Sequence, residues 1–506
     1  LLEIDNKMTL PCIFLIYILE KETTMFKENL LESSEKIEIE ILKKLYINNG
    51  IFSKYKLCDE LHISFPTLKL YIRNINMMFF NYYNDDVNIH INKETIFLKY
   101  RNNISLDNFV SIYIENSLKY KLLSMLYYHK NLNSVKLCSY LNISLSTLNR
   151  KINECNKLLN SFELRIKKFD LKGSPLQFAY FYYSLFRNSG VNKEITPGLN
   201  DKDIVKFLED SMSIDFTYAQ KLSIYIWSKI IIKNRDKFTK ENFSDKFSLS
   251  NLDSFKNDIT FKNLELFYSK FPHYKKYLAY ATACFLKTFG VLAFENTVDI
   301  TLPFNVHNFI LSRMKSLFLN KDFEFDKTVK SNILSYCNKQ FYFKGIFYSI
   351  DENTRDFYLN SHLSFLKDYF IVDLFKDIKL SFKLDNLDFD YFKLLIVLNL
   401  SYIDEESKYT IKIGVLSKTE NLAFKVLLKD FNNLLSKKFN AKAEVLSEKN
   451  LHTYDLIISN IHDQFSDGMS TTIFKFTYLG VEYDLNNLTE ILNNIEKEKI
   501  ENLRLG

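Results

Sequence analysis

The chain has 506 residues, 47% of them hydrophobic and 25% charged, with only ten Gly and six Pro. That length implies several domains, the charge content argues against a disordered chain, and the scarcity of helix breakers favours helix. The net charge of +6 is mild but uneven: residues 115–172 hold eleven Lys and Arg against four Asp and Glu, a local +7, whereas residues 36–100 hold nine against seven.

The first apolar run, Leu10 to Leu19, is too short to span a bilayer and lacks an A-x-A cleavage site. Met25 opens a more ordinary start, so residues 1–24 are expected to form a non-native or disordered extension upstream of the true start. Lys36 to Asn48 reads as an amphipathic helix, with Ile37, Ile41 and Leu45 on successive turns and Asn49-Gly50 at its end. Lys56 to Asn76 (KLCDELHISFPTLKLYIRNIN) reads as a helix-turn-helix. After the acidic turn Asn84-Asp85-Asp86, alternation over residues 87–92 and 96–100 predicts a β-hairpin, the wing of a winged helix.

Eighty residues on, the plan repeats. Glu115 to Tyr128 is the expected first helix, and Ser134 the expected cap of the next. Lys136 to Asn156 (KLCSYLNISLSTLNRKINECN) aligns with the earlier stretch at Lys56, Leu57, Cys58, Leu61, Ile63, Ser64, Thr67, Leu68, Ile72 and Asn76, an internal repeat. Ser144 is a suitable N-cap. Leu148, Ile152, Cys155 and Leu159 form one apolar stripe at helical spacing.

The polar side of that second helix predicts a major-groove reader: Ser146, Thr147, Asn149, Arg150, Lys151, Asn153 and Lys157 offer donors to phosphates and base edges. Asn is abundant everywhere in the chain, whereas Arg is scarce, so Arg150 is the more informative of these. Leu164 to Gly173 is the second wing, basic through Arg165, Lys167 and Lys168. In the first unit Thr67, Lys69, Arg73 and Asn74 are expected in weaker versions of the same role. Because phosphate neutralisation supplies most non-specific affinity, the second unit should grip DNA harder.

From Leu176 to about Ile403 the pattern is mostly helical: 176–188, 217–235 with the single tryptophan Trp227, and 274–289. A second set follows Pro303, at 307–319, 326–341, 361–375 and 388–403. Their aromatic stripes are most simply core. From Tyr409 strands alternate with helices: strands at 411–416, 441–446, 454–459 and 472–476, helices at 419–439 and 485–497. That is a small α/β domain with a mainly parallel sheet. The expected fold is mainly α and multidomain: winged helix-turn-helix units at 25–104 and 105–175, helical bundles at 176–295 and 296–407, and an α/β domain at 408–506.

The six Cys form no C-x-x-C pair, and no His spacing resembles a zinc site. Neither a metal nor a cofactor is expected, and the thiols suit a reducing cytoplasm. No P-loop, G-x-S-x-G or paired catalytic constellation is found, so an enzyme is not expected.

With two S-x-x-T-L turns, Ser64 to Leu68 and Ser144 to Leu148, and a basic wing ending in Leu171-Lys-Gly173, the chain resembles the Mga/AtxA class of transcriptional regulators. The resemblance is strongest over the two N-terminal units and rests on domain order beyond them. It implies that the bundles are PTS-regulation domains (PRDs) and that the last domain is similar to enzyme IIB of a sugar phosphotransferase system. It further implies a cytoplasmic homodimer, joined through its C-terminal half, that binds promoter DNA and controls virulence or surface genes according to carbohydrate status. Phosphocarrier proteins of that system would be further partners. Regulatory phosphorylation would fall on bundle histidines, here His273, His307 and His362, although none sits in a family motif. The IIB resemblance departs where a phosphocysteine is expected: Leu416-Ser-Lys-Thr419 has no thiol, and Ser417 cannot supply a thiolate. An RNA-binding antiterminator sharing PRDs, and a phosphotransferase component, are the competing readings.

Overall fold

The computed structural model describes residues 29–99, 106–189, 203–243, 258–289, 302–318, 323–345, 365–384, 387–403, 410–416, 422–446, 448–459, 472–475 and 482–505, with a few single residues between them. The expected extension at 1–24 and the Ser417 position lie outside them. The chain is mainly helical, with a small parallel sheet near its C-terminus. It divides into two compact units, Leu1–Phe285 with Phe343–Ser349, and Leu286–Tyr342 with Ile350–Gly506.

In the first unit, α1 (Ser33–Ile47) leads into a short strand β1 (Ile51–Ser53), α2 (Lys54–Leu61), α3 (Phe65–Tyr83) and the hairpin β2 (Asn88–Ile91) and β3 (Thr95–Lys99). The sheet order is β1-β3-β2, antiparallel throughout. Period-two alternation revealed β2 and β3 but not β1, whose three residues are too few to show a period. Then come α4 (Leu106–Asn116), α5 (Leu118–Tyr128), α6 (Ser134–Leu141), α7 (Leu145–Asn160) and the hairpin β4 (Arg165–Lys167) and β5 (Asp170–Lys172).

The structure differs from two local expectations. The helix expected from Glu115 is interrupted at Ser117, which caps α5 through Tyr120 N–H and donates its hydroxyl to the Leu30 carbonyl. The cap of α6 is Asn133, not Ser134: the Asn133 side chain accepts from Lys136 N–H at 2.9 Å, leaving Ser134 as the first helical residue.

The unit continues with α8 (Pro175–Ser189), α9 (Asp203–Met212), α10 (Tyr218–Lys233), α11 (Ile259–Phe267) and α12 (Lys275–Thr288). These helices share a core with the second helix-turn-helix. Tyr182 donates to the Leu123 carbonyl at 3.1 Å, Phe162 meets Phe181 edge to face, and Trp227 stacks on Phe285 at 4.4 Å.

The second unit contains α13 (Leu302–Lys315), α14 (Lys327–Tyr342), α15 (Phe365–Phe382) and α16 (Phe389–Tyr402). Pro303 does not precede the first of these helices. It sits in its first turn, where a missing N–H costs nothing. One core joins all four through Ile310, Met314, Ile333, Ile371, Leu374, Phe392 and Ile396. Then β6 (Ile411–Leu416), α17 (Leu422–Lys438), β7 (Ala441–Val445), β8 (Leu456–Ser459), β9 (Thr472–Lys475) and α18 (Glu482–Leu505) form the α/β part. Its sheet runs β7-β6-β8-β9, every neighbouring pair parallel. The fully buried β8 is the continuous apolar strand expected of a parallel sheet covered on its faces.

Candidate nucleic-acid interface

The repeat seen in the sequence is a repeat in space. Helices α2 and α6 each end in a left-handed residue, His62 at φ +51° and Asn142 at φ +55°. The side chain of Ser64 then accepts from Thr67 N–H at 3.3 Å, and that of Ser144 from Thr147 N–H at 3.2 Å. Ile63 N–H and Ile143 N–H bond back to the Cys58 and Cys138 carbonyls at 3.0 and 3.1 Å. Each turn therefore fixes a second helix against the first. Leu148, Cys155 and Leu159 are buried beneath α7, as Leu68, Ile72, Ile75 and Phe79 are beneath α3.

A pair of asparagines, not foreseen as functional, ties each wing to its helix. Asn76 donates to the Ile89 carbonyl at 2.9 Å and accepts from Ile89 N–H at 2.8 Å. Its counterpart Asn156 accepts from Ile166 N–H at 2.7 Å. The sequence signal for this pair is the match of Asn76 to Asn156 at the repeat offset.

The second wing turns through Lys168 and Phe169, both at positive φ (+49° and +58°). This is the two-residue geometry that twists in step with a hairpin, here achieved without glycine. Arg165, Lys167 and Lys168 are exposed on it. Gly173 closes it at φ +145°, where a Cβ would lie 2.4 Å from the Leu164 side chain. Lys237 anchors the wing from the side, 3.1 Å from Asp170. Lys172 is also held by Asp170, at 2.6 Å, which leaves it less available to a phosphate than its neighbours.

On α7, Ser146, Asn149, Arg150, Asn153 and Lys157 are exposed along one side, and Thr147 is half-buried. Ser146 and Thr147 lie 2.9 and 3.0 Å from the Ser144 hydroxyl, so both take part in capping. Arg150 is solvated, with Glu154 at 3.9 Å.

Lys151 departs from the expectation. It is only 2% exposed, and its ammonium lies 2.6 Å from Glu32 and 2.7 Å from Glu154. Burial works against the charged lysine, but the hydrogen bonds it donates to Glu154 and Glu32 outweigh it and hold its pKa above the ordinary value. Lys119, beside Glu154, donates to the Asn29 and Leu31 carbonyls at 2.8 and 2.9 Å. Lys151 therefore braces α7 against the chain leading into α1 and does not face a groove.

In the first unit, Lys69 and Arg73 are exposed on α3 and Thr67 is half-buried. The Lys69 ammonium lies 4.7 Å over the Phe65 ring. Asn74 is exposed as well, and it also donates to Glu38 at 3.0 Å, while Tyr113 donates to the other oxygen of that carboxylate at 3.0 Å. Burial raises the Glu38 pKa despite both donors.

The three candidate histidines differ. His273 is exposed. His362 is half-buried against Tyr358, and its carbonyl accepts from the buried Lys367 at 3.0 Å. His307 is fully buried, with its ring nitrogens 3.1 Å from Asn308 Oδ1 and from the Lys330 carbonyl. Burial pushes its pKa down. A ring so enclosed cannot meet a phosphocarrier without local opening.

Among the described residues no helix is long and apolar enough to cross a membrane, and no cluster of His, Cys, Asp and Glu could hold a metal ion. Residues 102–186, which include α4–α7, the basic wing and most of α8, match the family model described as Mga helix-turn-helix domain. No curated protein matches the chain.

Proposed function

We propose that the chain, which carries an Mga helix-turn-helix domain at residues 102–186, is a promoter-binding transcriptional activator of the Mga type whose second winged unit supplies most of the grip. The observation that carries the proposal is the exposed face of α7 (Ser146, Asn149, Arg150, Asn153 and Lys157) beside the cationic wing of Arg165, Lys167 and Lys168. A capped second helix with a polar outer face is the element that enters a major groove, and a flanking basic hairpin suits the phosphate backbone.

The bundles of α8–α12 and α13–α16 are proposed as PRD-like, and the α/β part after β6 as a IIB-like module serving contact between two copies. The four-stranded parallel sheet of that module supports the likeness. Control of virulence or surface genes by carbohydrate status, with phosphocarriers acting on an accessible histidine, completes the reading. His273 is a better candidate than His307, because its ring is exposed. An RNA-binding antiterminator would need a small β-rich RNA module at the N-terminus, whereas the described residues from 29 to 99 and 106 to 172 are mostly helical.

Footprinting of the full chain on its own upstream region tests the proposal. Protection in two neighbouring major-groove segments is expected. No protection by folded protein at low salt would refute it.

A further inference from the structure

Both repeat units place an apolar side chain at the first residue of the second helix of the helix-turn-helix, the end that enters a major groove in such motifs. Leu145, the first residue of α7, is 54% exposed. Its counterpart in the repeat is Phe65, the first residue of α3, half-buried and flanked by the Lys54 and Lys69 ammonium groups at 4.9 and 4.7 Å from its ring. Leu145 does not belong to the stripe of Leu148, Cys155 and Leu159 that holds α7 in place. Asn149 lies four residues on, hence beside Leu145 on the same side of the helix, and is exposed as well.

In a major groove the apolar feature of a base pair is the C5 methyl of thymine, and an asparagine pairs bidentately with adenine N6 and N7. The wing and Lys157 can neutralise phosphates but carry no base information. We propose that Leu145, with Phe65 as its equivalent in the first unit, is a thymine-methyl contact, and that Leu145 and Asn149 together bias the second unit toward A·T pairs. This deepens the DNA-binding reading above and rests on it.

The test compares two duplexes of the gene's own upstream region, identical except that one carries deoxyuridine in place of every thymidine. Binding of the full chain is read by fluorescence anisotropy at one salt concentration, for the wild type, Leu145→Ala and Phe65→Ala. The wild type should bind the thymine duplex about fourfold more tightly for each methyl contacted. Leu145→Ala should lose affinity for the thymine duplex and lose most of the preference, with Phe65→Ala losing the remainder. Equal binding of the wild type to both duplexes, or an undiminished preference in both variants, would overturn the proposal and leave DNA binding intact. Because the wild-type comparison changes only the DNA, it does not depend on how either variant folds. Failure of the folded wild type to bind either duplex would overturn the DNA-binding reading itself, and this inference with it.

Discussion

The Lys151 ammonium in α7 lies 2.6 Å from the Glu32 carboxylate, which is 119 residues earlier and caps α1. The second winged unit is thereby braced by the residues that open the first. Removing this cation leaves the Glu32 and Glu154 carboxylates without their shared partner, although both keep partial access to water. Lys151→Ala is therefore predicted to cost about 1–3 kcal/mol, less than the loss of a wholly buried pair. Urea denaturation measures this cost. The same variant should leave the salt dependence of DNA binding unchanged, since Lys151 reaches no phosphate. Full stability with a shallower salt slope would instead return Lys151 to the DNA face.

Asn156→Ala removes the acceptor of Ile166 N–H and should cost about 1–2 kcal/mol. Asn76→Ala, which removes two hydrogen bonds to Ile89, should cost at least as much. Amide hydrogen exchange reads the effect directly: faster exchange at Ile166 in the first variant and at Ile89 in the second. Unchanged protection would show that the wings are held by other contacts.

Each of Arg165→Ala, Lys167→Ala and Lys168→Ala is predicted to flatten the slope of log affinity against log salt by about 0.9. Lys172→Ala should change it less, because Asp170 already holds that ammonium. Slopes unchanged from the wild type in all four variants would argue that the wing lies away from the phosphates.

His307 carries a pH dependence. Burial, the main cause, lowers its folded pKa below the unfolded value of 6.5 despite its two hydrogen bonds. The unfolded chain therefore takes up the proton first. The stability this provides is complete above pH 6.5 and is lost as pH falls through the folded pKa. Thermal unfolding of the second unit should shift downward between pH 7.5 and pH 5, and His307→Gln should flatten that trend. An equal decline in the variant would assign the effect to other groups.

Much of the helix-turn-helix geometry is legible in the sequence because it is local. The Ser64 and Ser144 caps, the apolar stripe from Leu148 to Leu159 and the alternation in the wings are short-range patterns, and their duplication eighty residues apart made them stand out. The strands of the C-terminal sheet were equally plain, since β6 and β8 are apolar runs of ordinary strand length.

Contacts across long sequence separations were not legible. Lys151 lies three residues after Leu148 and four before Cys155, so it borders the buried stripe, but nothing nearby reveals that Glu32 awaits it. The hydrogen bond from Asn74 to Glu38 is hidden for the same reason, Glu38 being on another helix. The break at Ser117 depends on a hydroxyl reaching the Leu30 carbonyl, again a distant partner.

The most direct test of the account is the salt dependence of binding between the full chain and a duplex of its own upstream region, measured for the wild type, Arg150→Ala and Arg73→Ala. The account predicts a steep fall of affinity with salt. It predicts a large loss for Arg150→Ala, whose side chain is exposed on α7, and a small loss for Arg73→Ala. Absence of binding at low salt by folded protein would contradict it, as would equal losses for the two variants the ranking of the two units.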